Sequence, residues 1–208
     1  MNIHSVIDAA APMTTRVLDA ALAVFTERTY GGATVPQVAE RAGVGVGTIY
    51  RSFVGKEALA NGVYRRAKQS MLDHLVDALD RAGSDPTPRE RVAAVWAGLA
   101  AFAASDPDGF AFLEHQQHAS YLDDESLALA RRIDALAEGL VREGQASGAL
   151  RDDDPATLVA LVFGAFVGLS KQRRSLDRPL STTDLEAAGD AVWHLVARPT
   201  TTTTKERT

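Results

Sequence analysis

The chain has 208 residues, and 46% of them are hydrophobic, which is enough to fill the core of one large domain or two small ones. It has no cysteine, so disulfides, cysteine-ligated zinc and a thiol nucleophile are excluded. The formal net charge is -5 at pH 7, and this acidic balance taken alone argues against a nucleic-acid partner.

The charges are unevenly distributed along the chain. Residues 14–56 carry five basic and three acidic side chains, a net charge of +2, whereas the chain from residue 57 onward carries 17 basic and 23 acidic ones, a net charge of -6. This asymmetry is typical of a protein in which one end meets phosphate groups. The first 13 residues lack the basic and apolar regions of a secretion signal, and we therefore expect a cytoplasmic protein.

Helical periodicity runs through nearly every long segment, and no alternating strand pattern is present, which predicts an all-α protein of about nine helices. The first helix is expected from about Thr15 to Arg28. The second opens with Thr34 and Gln37 at the spacing of a capping box, with Pro36 tolerated in its first turn.

A glycine-rich stretch, AGVGVGTIYRSF, joins the second helix to a third one. Gly43 suits the left-handed residue that ends a helix, and Gly45 stands just before the next helix. Ile49 and Phe53 are four residues apart and are expected to point inward together. Two short helices joined by a tight turn, after a longer helix, predict a helix-turn-helix.

The opposite face of the third helix is expected to be exposed. It carries Gly47, Thr48 and Arg51, which would allow close approach to a major groove and hydrogen bonds to base edges or phosphates. Tyr50 lies on the flank, where a phenol can reach a phosphate. A nucleotide-binding glycine loop is disfavoured because no strand precedes Ala42, but a helix-turn-helix with a purely structural role stays open.

A long fourth helix begins at Gly55 and is expected to reach Arg81. Farther along, the uncharged stretch Pro155–Ser170 falls short of the roughly 20 residues that cross a bilayer, which favours a buried helix and no membrane partner. Its small-xxx-small pattern lets two helices approach closely. With the helix of residues 185–196 it could form a four-helix dimer interface, although a central helix within one subunit fits the same pattern. The candidate interface residues are Leu161, Gly164, Ala165, Gly168, Leu185, Val192, Trp193 and Val196.

Two histidines, His115 and His118, are three residues apart on a helix and could hold a metal ion, line an effector pocket or act structurally. A third metal ligand is not evident, so no metal or cofactor is predicted. Aromatic side chains are expected to contribute to an apolar effector cavity, although most of them must simply be core. The candidate pocket residues are Trp96, Phe102, Phe110, Phe112, His115, His118, Tyr121, Phe163 and Phe166. An enzyme that uses Glu114, His115 and His118 as acid–base groups, or a small-molecule-binding protein without DNA activity, remains an alternative.

The segment from Thr14 to Leu59 resembles the N-terminal DNA-binding domain of the TetR family of bacterial transcriptional regulators. The resemblance rests on helix, turn and helix in order and on AERAGV-x-x-GTIYRSF-x-x-KEAL, a motif specific for that family. It implies a DNA-binding domain over residues 14–56 and a helical effector-binding and dimerisation domain over residues 57–198. A disordered arm of residues 1–13 and a disordered tail of residues 199–208 are expected to flank them. We therefore expect a homodimeric, ligand-responsive transcriptional regulator, a repressor that binds a partly palindromic operator and that a small, largely apolar effector releases.

The resemblance also implies roles for individual residues: phosphate contacts from Thr34, Tyr50 and Lys56, and groove contacts from Val46, Gly47, Thr48 and Arg51. The candidate DNA-binding residues are Thr34, Gly45, Val46, Gly47, Thr48, Tyr50, Arg51 and Lys56. Gly45 and Val46 depart from the family pattern, which often has Ser followed by a basic or polar residue at these positions. Because fewer side-chain hydrogen bonds are then available, readout is expected to rely on thymine methyl contacts of Val46 and Thr48 and on close backbone approach.

Overall fold

The computed structural model describes residues 3–115, 118–178 and 180–199, with the backbone alone for residues 3–12 and 115. These residues form nine α-helices, a three-residue 3₁₀ turn at His118–Ser120 and no strand. The all-α prediction is therefore confirmed. The helices are α1 (Ile3–Gly32), α2 (Val35–Ala42), α3 (Val46–Ser52), α4 (Gly55–Arg81), α5 (Pro88–Ser105), α6 (Pro107–His115), α7 (Asp124–Ala146), α8 (Pro155–Ser175) and α9 (Thr182–Val196).

The start of α1 differs from the sequence expectation. The helix begins at Ile3 rather than near Thr15, so residues 3–13 are helical and not the disordered arm that we expected. Apolar periodicity marks the part of a helix that packs, whereas alanines such as Ala9 and Ala10 favour helix by intrinsic propensity alone. Met1, Asn2 and residues 200–208 of the predicted tail lie outside the described residues.

Near its end α1 bends at Thr29, where the backbone adopts φ 58° and ψ 167°. This conformation is almost confined to glycine, and a β-branched threonine there is strained. The bend redirects the chain at Tyr30, so the last turn does not continue the straight axis of α1.

The helix-turn-helix forms as predicted. The backbone N–H of Thr34 donates to Gln37 Oε1 at 3.0 Å, which caps the start of α2. Gly43 has φ 63° and ends α2 in the left-handed conformation, and the next amide, that of Val44, donates to Ala39 O at 3.0 Å. Ile49 is fully buried, and Phe53 packs against the same core.

The chain forms two compact units whose boundaries lie inside helices. The first unit combines residues 1–73 with residues 101–131, and the second combines residues 74–100 with residues 132–208. The sequence-based boundary at residue 56 therefore does not coincide with a packing boundary. Phe112 and Tyr121 share one buried cluster with Phe25 of α1, so α6 belongs to the core of the helix-turn-helix unit.

In the second unit, α8 begins with a capped N-terminus and packs on the chain after α7. Asp154 accepts a hydrogen bond from the Thr157 N–H at 3.0 Å, as its position before Pro155 predicts. Leu158 and Val196 share a buried cluster, and a single antiparallel bridge joins Leu150 to Ala197.

The length of α8 corrects one expectation. It spans 21 residues because the helix continues past Ser170 through charged residues, and among the described residues it is the one helix long and apolar enough to cross a membrane. By length and composition alone, one such helix is weak evidence for a membrane span. Only 17% of its apolar stretch is buried, so the expectation of a buried helix is not met within the chain. A largely apolar helix face is left without cover in this unit.

Candidate functional site

The outer face of α3 is accessible along its length. Val46 is 37% exposed and Tyr50 is 54% exposed, whereas Ile49 between them is fully buried. A Cβ added to Gly47 would meet no atom within 4 Å, so this glycine leaves the face free of side-chain bulk. Exposed residues on one side of a short helix and an apolar anchor on the other are what insertion into a major groove requires.

The polar side chains of this face are engaged with each other. Arg51 Nη2 donates to Thr48 Oγ1 at 3.0 Å, one helical turn away. The Thr48 N–H donates to Gly45 O at 2.8 Å, so Gly45 acts as the helix cap without contributing a side chain. Val46 is therefore the first side chain that the helix start presents.

Lys56, at the start of α4, is held against the end of α1. Its Nζ donates to the carbonyl oxygen of Tyr30 at 2.8 Å and lies 4.4 Å from the centre of the Tyr30 ring. Lys56 is half-buried, and these two contacts hold its ammonium group in a defined position. The sequence did not indicate this role of Tyr30, because the two residues are 26 positions apart.

Thr34, Val46, Tyr50 and Arg51 are exposed within the helix-turn-helix unit, as a DNA-contacting surface requires. One exposed residue beside them was missed. Val54, in the turn between α3 and α4, is 92% exposed, although an apolar valine is usually expected to be buried.

The predicted pocket residues do not form one set. Phe102, Phe110, Phe112, His118 and Tyr121 belong to the first unit, Trp96, Phe163 and Phe166 belong to the second, and the side chain of His115 is not described. Phe102 and Phe166 are fully buried and Phe112 is 1% exposed. Phe102, Phe112 and Phe166 thus fill the cores of their own units, as expected for most of these aromatic residues, and the contribution of the others to an effector cavity stays a prediction.

In the second unit, Trp96 packs edge-on against Phe166, with ring centres 5.2 Å apart, and its Nε1–H donates to Leu185 O at 2.9 Å. Leu185 was predicted to lie at a subunit interface, but its carbonyl oxygen takes part in this internal contact. These residues tie α5 to α8 and α9.

In the first unit, a buried corner follows α6. We call residues 118–123 the α6–α7 corner. The His118 ring lies 5.0 Å from the rings of both Phe112 and Tyr64. Its Nδ1 accepts a hydrogen bond from the Tyr121 hydroxyl, and its Nε2–H donates to Leu113 O at 3.2 Å.

His118 and Tyr121 of the α6–α7 corner are both held in their neutral forms. Burial lowers the pKa of His118, and the nearby positive charge of Lys68 lowers it further. Burial raises the pKa of Tyr121. Both ring nitrogens of His118 are thus engaged inside the fold, and no cluster of three metal-ligating residues exists in the described part of the chain.

Asn61 of α4 fixes the α6–α7 corner. It is 2% exposed, its Nδ2 donates to Tyr121 O at 2.7 Å, and its Oδ1 accepts from the Asp123 N–H at 2.9 Å. Arg65, one turn along α4, pairs with the Asp123 carboxylate at 2.9 Å. These contacts were missed from the sequence because a lone asparagine in a helix carries no pattern.

A cleft of about 460 Å³ opens in the first unit and has a polar lining. Arg66 and Asp19 form an ion pair across it at 2.7 Å, and Asp106 caps α6 by accepting from the Gly109 N–H at 2.8 Å. None of the predicted aromatic residues lines it, so it is not the apolar cavity that the sequence suggested. The lining residues are Asp19, Leu22, Arg66, Ser70, Asp106 and Asp108.

The predicted interface residues divide into an exposed set and a buried set. On α8, Leu161 is 43% exposed, and a Cβ added to Gly164 or Gly168 would meet no atom within 4 Å. On α9, Val192 and Val196 are 4% and 2% exposed, so they form part of the core of this unit and leave little surface for a partner to cover. Their place on the α9 surface is taken by Leu195, which is 37% exposed and was not predicted.

Two protein-family models match the chain, one after the other along the sequence. Residues 17–63 match bacterial regulatory proteins of the tetR family, and residues 69–197 match the tetracyclin repressor-like C-terminal domain. No curated protein matches the sequence.

Several solved structures share the fold. A TetR family transcription regulator from Marinobacter aquaeolei VT8 is 20% identical with a TM-score of 0.82, covering 92% of this chain and 99% of that chain. The fatty acid degradation regulator FadR from Bacillus halodurans is 21% identical with a TM-score of 0.71, over 88% and 94% of the two chains. FadR from Bacillus subtilis, in complex with stearoyl-CoA, is 23% identical with a TM-score of 0.67, over 87% and 96%.

Proposed function

Because this chain belongs to the TetR family of bacterial transcription regulators, with a DNA-binding N-terminal domain and a ligand-binding C-terminal domain, we propose that it is a homodimeric repressor released by a small, largely apolar effector. The observation that carries the proposal is the exposed outer face of α3 above the buried Ile49. Its place of action is the cytoplasm, where the chromosome of a bacterial cell lies.

Two copies of α3 would enter successive major grooves of a palindromic operator, about one helical turn apart. Tyr50 and Arg51 offer donors to phosphates and base edges, and Lys56 offers an ammonium to a phosphate. Val46, Thr48 and the open backbone at Gly47 favour contact with thymine methyl groups. Gly45 and Thr34 would lie at the edge of this contact, where the two helices begin.

The uncovered face of α8 supports dimerisation. Leu161 is exposed beside two glycines that present bare backbone, which suits the close packing of a helix from a second copy. Ala165 and Trp193 are half-buried in the single chain and would be covered further in the dimer.

An effector acts on such a dimer through the separation of the two α3 helices. An effector that favours another separation weakens DNA binding, and DNA weakens effector binding by the same coupling free energy. One FadR protein of similar fold regulates fatty acid degradation, and the other was solved with stearoyl-CoA bound. Long-chain acyl compounds are therefore the first class to screen.

The test begins with selection of double-stranded DNA from a random pool by the full-length protein. We expect the enriched sequences to contain two half-sites in opposite orientation. The double variant Tyr50→Phe with Arg51→Ala should lose this binding, whereas Arg142→Ala, which removes an exposed arginine of α7, should keep it. Failure of the wild-type protein to enrich any sequence, or salt-insensitive binding that the double variant retains, would contradict the proposal.

The second step is a screen for release of the selected operator. Acyl compounds and other apolar molecules are added to the protein–operator complex, and bound DNA is followed by fluorescence anisotropy. We expect an active compound to release DNA. We also expect it to bind the protein–operator complex more weakly than it binds the free protein.

A further inference from the structure

Tyr30 connects two parts of the first unit that lie far apart in the sequence. On one side it contacts Lys56 twice, through its carbonyl oxygen at 2.8 Å and through its ring at 4.4 Å. On the other side its ring stacks on Tyr121, with centres 4.2 Å apart and planes inclined by 30°. Phe25 adds a tilted contact at 6.1 Å.

The stack continues into the α6–α7 corner. Tyr121 is 6% exposed, and its hydroxyl donates to His118 Nδ1 while its carbonyl oxygen accepts from Asn61. The other nitrogen of His118 donates to Leu113 O at the end of α6. An unbroken series of contacts therefore runs from Lys56 through Tyr30 and Tyr121 to α6.

The two contacts restrict the position of the Lys56 ammonium group but use only part of its hydrogen-bonding capacity. A lysine ammonium has three donors on a flexible stem of four methylene groups, and one donor is used by Tyr30 O. A side chain that is already ordered loses less conformational entropy when it binds a partner, so the remaining donors meet a phosphate at a lower entropic cost.

We propose that Tyr30 is a positioning residue that holds Lys56 for its phosphate contact and couples the contact to the α6–α7 corner. This inference rests on the proposed function, because it concerns the affinity for operator DNA. A displacement of Tyr121 removes the stacking partner of Tyr30, and the ammonium group of Lys56 then loses its fixed position. Operator affinity is in this way set by the arrangement of α6.

The first test is a double-mutant cycle on the selected operator. Lys56→Met should lower the slope of log affinity against log salt concentration by about 0.9 for each phosphate contact, or about 1.8 for a dimer. Tyr30→Leu, which keeps bulk but removes the ring, should weaken binding by about tenfold for a dimer. In the Lys56→Met background Tyr30→Leu should have no further effect, and Tyr30→Phe should bind like wild type because the ring remains.

Arg142→Met is the matched control. Arg142 is exposed on α7, outside both the helix-turn-helix and the α6–α7 corner, and its ion pair is with Glu138 of the same helix. Its replacement removes the same charge and should leave the salt slope unchanged. Equal losses from Tyr30→Leu in the wild-type and Lys56→Met backgrounds, or no loss in either, would overturn the inference.

A second measurement does not depend on whether Tyr30→Leu folds. In the free wild-type protein, the Lys56 Hε protons should resonate upfield of the other lysines because of the Tyr30 ring, and the signal is assigned by its loss in Lys56→Met. Tyr121→Phe, which removes the bond to His118, should shift this signal. A Lys56 signal at the ordinary lysine position would overturn the inference even if operator binding is intact, whereas an upfield signal without any selected DNA would refute only the proposed function.

Discussion

At the scale of single residues, the backbone of Thr29 stands out because it combines a β-branched side chain with φ 58° and ψ 167°. Such strain persists only where the surroundings hold it, and here the next residue, Tyr30, is held by Lys56 and Tyr121. The bend of α1 is thus stabilised by contacts made after it rather than by the local sequence.

We predict that Thr29→Gly stabilises the protein by about 1 kcal/mol, because glycine adopts this conformation without strain and part of the gain is offset by the larger entropy of the unfolded chain. Urea unfolding followed by circular dichroism measures the change. Thr26→Gly, in the regular part of the same helix, is the control and should lose about 0.5 kcal/mol. A loss of stability in Thr29→Gly would contradict the assignment of strain.

Asn61 is a second residue whose importance lies in its partners. Asn61→Ala removes the partners of Tyr121 O and of the Asp123 N–H, and leaving one buried and one half-buried backbone group unsatisfied should destabilise the protein by about 2 kcal/mol. Gln69→Ala, on the exposed side of α4, should change the free energy of unfolding by less than about 0.5 kcal/mol. Equal effects of the two substitutions in urea unfolding would show that the Asn61 contacts are not formed.

At the scale of elements, the α6–α7 corner should make stability depend on pH. Burial lowers the pKa of His118, and the groups that face it are Lys68 and Tyr64 of α4 together with Tyr121. Because the folded-state pKa lies below the unfolded value of about 6.5, the contribution of the neutral ring to stability is complete above about pH 6.5 and is lost as the pH falls through the folded-state pKa.

The free energy of unfolding of the wild-type protein should therefore fall between pH 7 and pH 5, and His118→Gln, which does not titrate, should lose less over that interval. Urea unfolding at both values gives the comparison. His194→Gln removes an exposed histidine of α9 without touching the α6–α7 corner, and it should retain the wild-type loss. The same loss in His118→Gln and in the wild-type protein would contradict this role of His118.

At the scale of the whole molecule, the uncovered face of α8 predicts self-association. Leu161→Glu places a charge on that face, and we expect it to convert the dimer into a monomer, because burying an unpaired charge is unfavourable. Sedimentation velocity measures the change. Leu136→Glu is the control: Leu136 is 50% exposed on α7, outside the proposed interface, and its replacement should leave a dimer. A dimer that persists in Leu161→Glu would place the contact elsewhere.

The sequence by itself determined the fold class and the helix-turn-helix, because both depend on local signals. Helical periodicity, the Thr34–Gln37 cap, the left-handed Gly43 and the spacing of Ile49 and Phe53 all act within a few residues, so their structural consequences can be read in order along the chain. The exposed face of α3 follows from the same periodicity.

Only the tertiary structure decided which distant residues meet. The sequence does not show whether Phe112 packs on α1, whether Phe166 packs on Trp96, or whether either residue lines a pocket. The hydrophobic effect is non-directional, so it favours burial against any apolar partner. The pairing of Lys56 with Tyr30, and of Asn61 with Tyr121, depends on how helices 26 and 60 residues apart are brought together. Such contacts are set by the packing of whole helices, and a local pattern cannot contain them.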